Sequence, residues 1–302
     1  MADRAAGEAP GAVRGTGPTQ TGRFDLADDS EFMVRFWGVR GSIACPGDSH
    51  RRYGGNTSCL EVRCGAHLLV FDAGTGLRLL GEHLGGRTAL SGDLFLTHTH
   101  LDHVVGLPFF GPLYNPDTRF RLWAGHLLPE MTLYDALSHL MMAPLFPVPP
   151  EVFAGNITFH DFNAGETLEP QPGVTLRTTP LNHPNNATGY RIEFDGRSIC
   201  YITDTEHVVD QLDQNILGLI EGADIVIYDS SFTDAEFPDY LNWGHSSWQE
   251  GVRLAERAGV KRLVIFHHDP SHDDVFMDQV ARDAEEMRPG TLVAREGLVL
   301  SP

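Results

Sequence analysis

A chain of 302 residues with a hydrophobic content of 41% can bury a substantial core. No apolar run has the length of a transmembrane helix, and the N-terminus lacks the apolar segment of a secretory signal. The formal net charge of −19, with Lys261 as the only lysine, excludes the basic face that most nucleic-acid-binding proteins present. We therefore expect a cytoplasmic protein without a membrane partner, and we expect no long nucleic acid as a partner.

The N-terminal segment differs in composition from the rest of the chain. Residues 1–30 are rich in Gly, Ala, Pro and Thr, which predicts a disordered tail. The 4 cysteines form no CxxC pair, which is typical of buried free thiols in a reducing compartment. Residues 31–302 contain no internal repeat and no linker, so we expect them to form one domain.

Short β-rich runs separated by Gly, Pro and Asn turns follow the tail. The predicted strands are, in chain order, MVRFWG, CLEVRC, HLLVFDAG, DLFLTH, RFRLWA, NITFHDF, VTLRTTPL, TGYRIEF, RSICYITD, DIVIYDS, RLVIFHH, TLVARE and LVLS. Helical patterns run from Glu130 to Leu140, His207 to Ile220, Ser246 to Ala258 and Asp274 to Met287. Two β-rich halves with helices outside them predict an α/β fold, a four-layer αββα sandwich.

The motif His98-x-His100-x-Asp102-His103 stands where the apolar strand DLFLTH ends. We expect His98 and His100 to point in the same direction, because side chains in a strand repeat every second residue. Imidazole and carboxylate ligands together suit zinc, manganese or iron. No structural role demands this density of histidines at a strand end, so the motif predicts a metal site.

Three further polar side chains follow apolar strands. His183 follows VTLRTTPL, Asp204 follows RSICYIT, and His267 follows RLVIF. Because strand ends can meet at one edge of a sheet, all three are candidate ligands of the same centre. His268 competes with His267 for the last ligand position, and the sequence leaves this choice open.

The segments HTHLDH, LNHP, ITDT, GHSSW and FHHD, in this order, resemble the metal-binding motifs of the metallo-β-lactamase superfamily. The match is nearest to its phosphodiesterase branch, which includes ribonuclease Z and the cyclic-phosphate phosphodiesterase of phosphonate breakdown. FWGVRGSIACPG, YGGNTSC and FDAGTG also resemble segments of that branch. The resemblance implies the metallo-β-lactamase fold and two divalent metal ions per chain, with zinc preferred to manganese or iron.

The resemblance implies seven ligands in two sets that share one bridging carboxylate. They are His98, His100 and His183 for the first ion, Asp102, His103 and His267 for the second, and Asp204 for both. Two such ions lower the pKa of a bridging water, so hydroxide would be available near neutral pH to attack phosphorus. We take Asp102 and His245 as catalytic candidates, with His245 assisting the leaving group; alternatively, His245 only helps to start a helix. Asp72 is expected either to orient a ligand histidine or to form a turn.

The predicted function is hydrolysis of a small anionic phosphodiester, cyclic esters included. Ribonuclease Z carries a long substrate-gripping arm between the positions of His183 and Asp204, and only about twenty residues separate them here, which argues against transfer-RNA processing. An acyl hydrolase of the same fold and a non-catalytic sensor of a metal or nucleotide stay open as alternatives. The sequence is also compatible with a homodimer.

Overall fold

The computed structural model describes residues 32–86 and 88–302, so the predicted tail lies outside the described residues. The strands in these ranges are β1 (Phe32–Gly38), β2 (Cys59–Cys64), β3 (His67–Phe71), β4 (Ser91–Leu96), β5 (Arg119–Ala124), β6 (Asn156–Asp161), β7 (Thr167–Gln171), β8 (Val174–Leu181), β9 (Ala187–Phe194), β10 (Arg197–Ile202), β11 (Ile225–Asp229), β12 (Arg262–Phe266), β13 (Leu292–Val293) and β14 (Val299–Leu300). The α-helices are α1 (Gly76–His83), α2 (Leu101–Val104), α3 (Leu133–Leu140), α4 (Gln214–Ile220), α5 (Trp248–Arg257) and α6 (Asp274–Met287). None of these helices combines the length and the apolar character needed to cross a membrane.

The strands form two sheets of seven strands each. Their orders are β14-β1-β2-β3-β4-β5-β6 and β13-β12-β11-β10-β9-β8-β7. Both inner faces contribute to one apolar interior, which includes Phe36, Phe71, Tyr190, Tyr201 and Phe266. Helices α1 to α3 pack on the outer face of the first sheet, and α4 to α6 pack on the outer face of the second. The predicted four-layer αββα sandwich is therefore confirmed.

Parallel pairing brings the carboxyl ends of several strands to one edge of the sandwich. Strands β3 to β6 are parallel in the first sheet, and β10 to β13 are parallel in the second. Strand β8 runs antiparallel to β9, which runs antiparallel to β10, so β8 ends at the same edge as β10. Loops that follow β3, β4, β8, β10, β11 and β12 can therefore contribute to one site.

Strand β4 differs from its prediction in a way that affects the site. It ends at Leu96, and α2 begins at Leu101, so His98 and His100 lie in the loop between them. The two side chains do converge, as expected, with ring centroids 4.4 Å apart, but a loop directs them there and not the alternation of residues in a strand. A loop followed by a single helical turn can direct consecutive ligands towards one point, which a straight strand cannot do.

Two other regions also differ from the prediction. The helix expected from His207 begins only at Gln214, because the Asp213 side chain caps it by accepting hydrogen bonds from the Asn215 and Ile216 amides. Helix α1 and strand β7 were not predicted. Helix α1 is eight residues long and starts at a glycine, and the edge strand β7 contains Pro170, so neither has a strong pattern.

Two buried tyrosines of the second sheet reach across the interior to the first. The Tyr190 hydroxyl donates to the Leu96 carbonyl at 2.6 Å, and the Tyr201 hydroxyl donates to Asp72 Oδ2 at 2.8 Å. Burial raises the pKa of both hydroxyls well above the ordinary value, so both remain protonated donors. These bonds hold the strand ends of one sheet in register with those of the other.

Tyr190→Phe is expected to destabilise the fold by about 1–3 kcal/mol, because it leaves the buried Leu96 carbonyl without its donor. Tyr134→Phe is the matched control, since the Tyr134 ring is 39% exposed and its hydroxyl donates to Glu151 at the surface. We expect a change within roughly 0.5 kcal/mol for the control. Urea unfolding of the metal-free variants measures both, and similar midpoints would refute a stabilising role for the Tyr190 bond.

Candidate metal centre

Two groups of ligand-type side chains meet at the edge where the strands end. Within each group, one ligand atom from every residue lies within 4.8 Å of the others. These two groups are His98, His100 and His183, and Asp102, His103, Asp204 and His267; two further groups overlap them and contain His245, namely His183, Asp204 and His245, and Asp229, His245 and His267. The structure thus brings together all seven residues that the sequence nominated as ligands.

The second group has the spacing of a tetrahedral ligand set. Asp102 Oδ2 and Asp204 Oδ2 each lie 3.2 Å from His103 Nε2, and they lie 3.5 and 3.4 Å from His267 Nε2. The two imidazole nitrogens are 3.4 Å apart. Four ligands bound at 2.0–2.1 Å to one zinc ion would be about 3.3 Å from one another. These residues therefore fit a divalent metal ion.

The first group contains a nitrogen that lacks a protein partner. His98 Nε2 is buried and has no hydrogen-bond partner among the residues that the structure describes. His183 Nε2 lies 3.1 Å from His100 Nδ1. Asp204 Oδ1 lies 3.7 Å from His98 Nε2 and 3.8 Å from His183 Nε2, whereas its Oδ2 faces the second group. A metal ion would satisfy the buried nitrogen, and Asp204 is placed to contact both positions.

Three residues of the centre, two aspartates and one histidine, have an unusual backbone conformation. Asp72, Asp204 and His267 follow β3, β10 and β12, and their φ angles are +61°, +59° and +62°. This left-handed region is uncommon for residues other than glycine and persists only when surrounding contacts hold it. The chain turns sharply at these positions and does not continue along the strand.

A carboxylate behind the second group orients one of its histidines. His103 Nδ1 donates to Asp72 Oδ2 at 2.8 Å, which leaves His103 Nε2 to face the ligand set. Asp72 also accepts hydrogen bonds from Thr97 and Tyr201, so its own position is fixed. Of the two roles considered for Asp72, the geometry favours the orienting one.

The structure distinguishes His267 from its neighbour. His267 Nε2 faces the ligand set, while its Nδ1 lies 3.0 Å from Ser231 Oγ. His268 Nε2 instead lies 2.8 Å from the Ala294 carbonyl. A Cβ atom on Gly41 would come within 2.4 Å of the His267 ring, so the glycine leaves room for that ring. The geometry therefore places His267, and not His268, among the candidate ligands.

The buried charges of the centre depend on one another. Burial disfavours the charged form of His103, but Asp204, Asp102 and Asp72 raise its pKa well above the usual value. In turn, and against the effect of its burial, His103 lowers the pKa of Asp102. Burial and the neighbouring His103 lower the pKa of His98, which keeps it neutral as a metal ligand must be. The three carboxylates that raise the pKa of His103 would also favour a divalent cation at this position.

His245 lies at the same edge and faces the shared carboxylate. Its Nδ1 is 3.0 Å from Asp229 Oδ2 and 3.8 Å from Asp204 Oδ1. Burial opposes its charge, but Asp229 contributes most to raising the pKa of His245, to about 9. Helix α5 is started by another residue, because the Ser247 hydroxyl accepts from the Glu250 amide. His245 is therefore not the cap of that helix.

Sequence reasoning missed two polar residues of this edge. Asp229, the last residue of β11, holds His245, and His126, which follows β5, lies 3.2 Å from Thr99 Oγ1. Burial and the nearby His100 lower the pKa of His126 to about 4. Asp229 ends an apolar strand and His126 follows one. The pattern that identified Asp204, a polar side chain at the end of an apolar strand, was therefore present for them as well.

Comparison with known proteins identifies relatives over most of the chain. A family model described as beta-lactamase superfamily domain matches residues 67–268. Ribonuclease Z of Mycobacterium tuberculosis is 31% identical over 236 residues, which covers 70% of this chain and 78% of the relative. Two solved structures share the fold at 20% identity and cover 89% of this chain. A diphosphatase from the PhnP family has a TM-score of 0.67 with 96% of its own chain covered, and the short form of human tRNase Z has a TM-score of 0.64 with 98% covered.

These relatives correct one expectation. The sequence led us to expect no long nucleic acid as a partner, but the curated relatives are ribonuclease Z enzymes, which act on RNA. A net charge describes the whole surface, whereas metal ions in a centre reverse the local potential, so an acidic composition does not exclude RNA. The fold, the ordered motifs and the match at 31% identity agree, and the chain therefore belongs to the metallo-β-lactamase superfamily, in the branch of metal-dependent hydrolases that contains ribonuclease Z.

Proposed function

We propose that this chain is a phosphodiester hydrolase with a dinuclear metal centre. One observation supports this most strongly: Asp204 lies between two ligand sets and presents one carboxylate oxygen to each. His245, held by Asp229, faces the same carboxylate. Together, the two ligand sets and His245 would provide two positions for cations and one proton donor around Asp204.

The two ligand sets would hold one divalent ion each, with Asp204 shared. When bound, two such ions supply Lewis acidity for the phosphoryl oxygens and lower the pKa of a coordinated water. The donors are all nitrogen and oxygen, which suits zinc first and also manganese or iron. Asp102 and Asp204 remain ionised in the centre and would bind the cations through their carboxylates. Asp72 keeps His103 Nε2 directed at the second ligand set.

His245 would assist the leaving group. Its Nδ1 is occupied by Asp229, so its Nε2 is the atom available to donate a proton to the departing oxygen. The Asp229 carboxylate fixes the orientation of the ring and stabilises its protonated form. Ser247 starts α5 directly afterwards, so the loop that carries His245 is anchored on its C-terminal side.

We propose a small phosphodiester, cyclic esters included, as a substrate of this centre. Between His183 and Asp204 the chain forms only β9, β10 and their short connections, and no arm is inserted there. RNA is the second candidate, because the relatives at about 30% identity are ribonuclease Z enzymes. Both substrate classes use the same chemistry at phosphorus, so they are tested side by side.

Metal-loaded protein is expected to hydrolyse bis(p-nitrophenyl) phosphate and a 3′,5′-cyclic nucleotide. An RNA with a 3′ extension is assayed under the same conditions. Cleavage of RNA without hydrolysis of the cyclic ester would assign the centre to RNA. If the protein binds two metal ions but hydrolyses only a thioester or a lactone, the phosphodiesterase proposal is wrong and the acyl-hydrolase alternative holds.

Asp204→Asn is expected to reduce the bound metal to fewer than two ions per chain, because the amide is a poor bridging ligand. Hydrolysis of bis(p-nitrophenyl) phosphate should fall by ~100-fold or more, beyond the effect typical of residues that only support a ligand. Elemental analysis and steady-state rates measure both quantities. Asp278→Asn is the control, since Asp278 pairs with Arg52 away from the ligand sets. Full metal content and full activity in Asp204→Asn would contradict the dinuclear assignment.

His245→Asn is expected to keep both metal ions and to lose activity according to the leaving group. The loss should be about 10²- to 10⁴-fold for a cyclic nucleotide, whose ribose alkoxide needs a proton. It should be much smaller for bis(p-nitrophenyl) phosphate, because p-nitrophenolate leaves without one. The matched control is Ser247→Ala, which should destabilise α5 by about 0.5–2 kcal/mol without any leaving-group dependence. Equal losses with both esters would rule out proton donation by His245.

A further inference from the structure

Trp243 exposes a large aromatic ring two residues before His245. Its side chain is 63% exposed, although it directly precedes Gly244 and His245. The Gly244 carbonyl accepts a hydrogen bond from His183 Nδ1 at 2.8 Å. A Cβ atom on Gly244 would come within 2.3 Å of the His183 ring. The backbone next to Trp243 is therefore fixed against a candidate metal ligand.

Other aromatic rings hold the Trp243 indole in place. Its ring meets the edge of Tyr240 at a centroid distance of 5.4 Å and an interplanar angle of 86°. Tyr240 stacks on Phe232 at 4.3 Å and 12°, and Phe232 contacts His245 at 6.2 Å. These four rings form a continuous series from the proposed proton donor to the exposed indole. The contact with Tyr240 restricts the indole, which reduces the conformational entropy lost when a ligand stacks on it.

Only Gly244 separates Trp243 from His245, which limits the distance between the indole and the proposed proton donor. Two residues separated by one other have Cα atoms no more than about 7 Å apart. A nucleoside attached to a phosphate at His245 has a length comparable with this separation, so its base can approach the indole.

We propose that Trp243 is a specificity-determining residue that stacks on the base of a nucleoside phosphodiester. This inference rests on the proposed phosphodiesterase function and narrows it to substrates that carry a nucleobase. Cyclic nucleotides, dinucleotides and RNA ends share this chemistry, whereas sugar phosphates without a base do not. Stacking on an aromatic side chain is sequence-tolerant, so the residue selects for a base and not for one particular base.

The test compares two esters that differ only in the nucleoside. The substrates are thymidine 5′-p-nitrophenyl phosphate and methyl p-nitrophenyl phosphate, assayed with metal-loaded wild type, Trp243→Ala and Trp243→Phe. Trp243→Ala should lower kcat/KM for the thymidine ester roughly 5- to 150-fold and leave the methyl ester unchanged. Trp243→Phe should restore most of the loss, because phenylalanine also offers a stacking face. Tyr134→Ala, which removes an exposed ring that packs on Phe159, should alter neither ester.

Several outcomes would overturn this inference without affecting the proposed function. Two of them are an equal loss of kcat/KM for both esters and no loss for either ester in Trp243→Ala. The third is a change in the oligomeric mass of Trp243→Ala in sedimentation, which would identify the ring as a contact between copies of the chain. If wild type hydrolyses neither ester, the proposed function fails. Binding of thymidine 5′-monophosphate to the metal-loaded protein then tests whether Trp243 stacks on the base. Weaker binding by Trp243→Ala would support stacking, and equal affinity would refute it.

Discussion

The centre depends on one buried carboxylate that faces two ligand sets. Asp204 is 2% exposed, and its two oxygens lie 3.2 to 3.8 Å from the nitrogens of five histidines. A carboxylate buried in this way is stable only when positive charge lies close to it. The surrounding imidazoles supply part of that charge, and His103 contributes most to holding the pKa of Asp204 well below its usual value, against the effect of burial. Divalent cations would supply much more charge at the same place.

The sandwich brings strand ends from both sheets to one edge, and Asp204 lies at that edge. Neither sheet alone contains the ligands, since the HxHxDH motif follows β4 and the later ligands follow strands of the second sheet. Tyr190 and Tyr201 fix the two sheets relative to each other close to these ends. The packing of the interior therefore determines the distances between ligands, and the centre is a property of the whole fold.

The sequence predicted the layers and all seven candidate ligands because each ligand follows an apolar strand or belongs to one dense motif. It did not predict how the ligands converge. His98 and His100 converge through a loop, and whether a strand stops two residues early depends on tertiary contacts that no local pattern records. Asp229 and His126 also lie at the ends of apolar strands, as Asp204 does, but they do not belong to the metal-binding motifs. The charge argument against RNA failed because composition averages over the surface and gives no information about one pocket.

The left-handed backbone at Asp72, Asp204 and His267 has a consequence for how such a chain can change over time. Glycine or asparagine would occupy these positions with less strain, so replacing a functional residue there could make the metal-free fold more stable. At Asp72 the loss of buried hydrogen bonds from Thr97 and Tyr201 would offset this gain, so the balance differs between the three positions. Aspartate and histidine at all three positions therefore combine a tolerated but strained backbone with side chains that the centre would use.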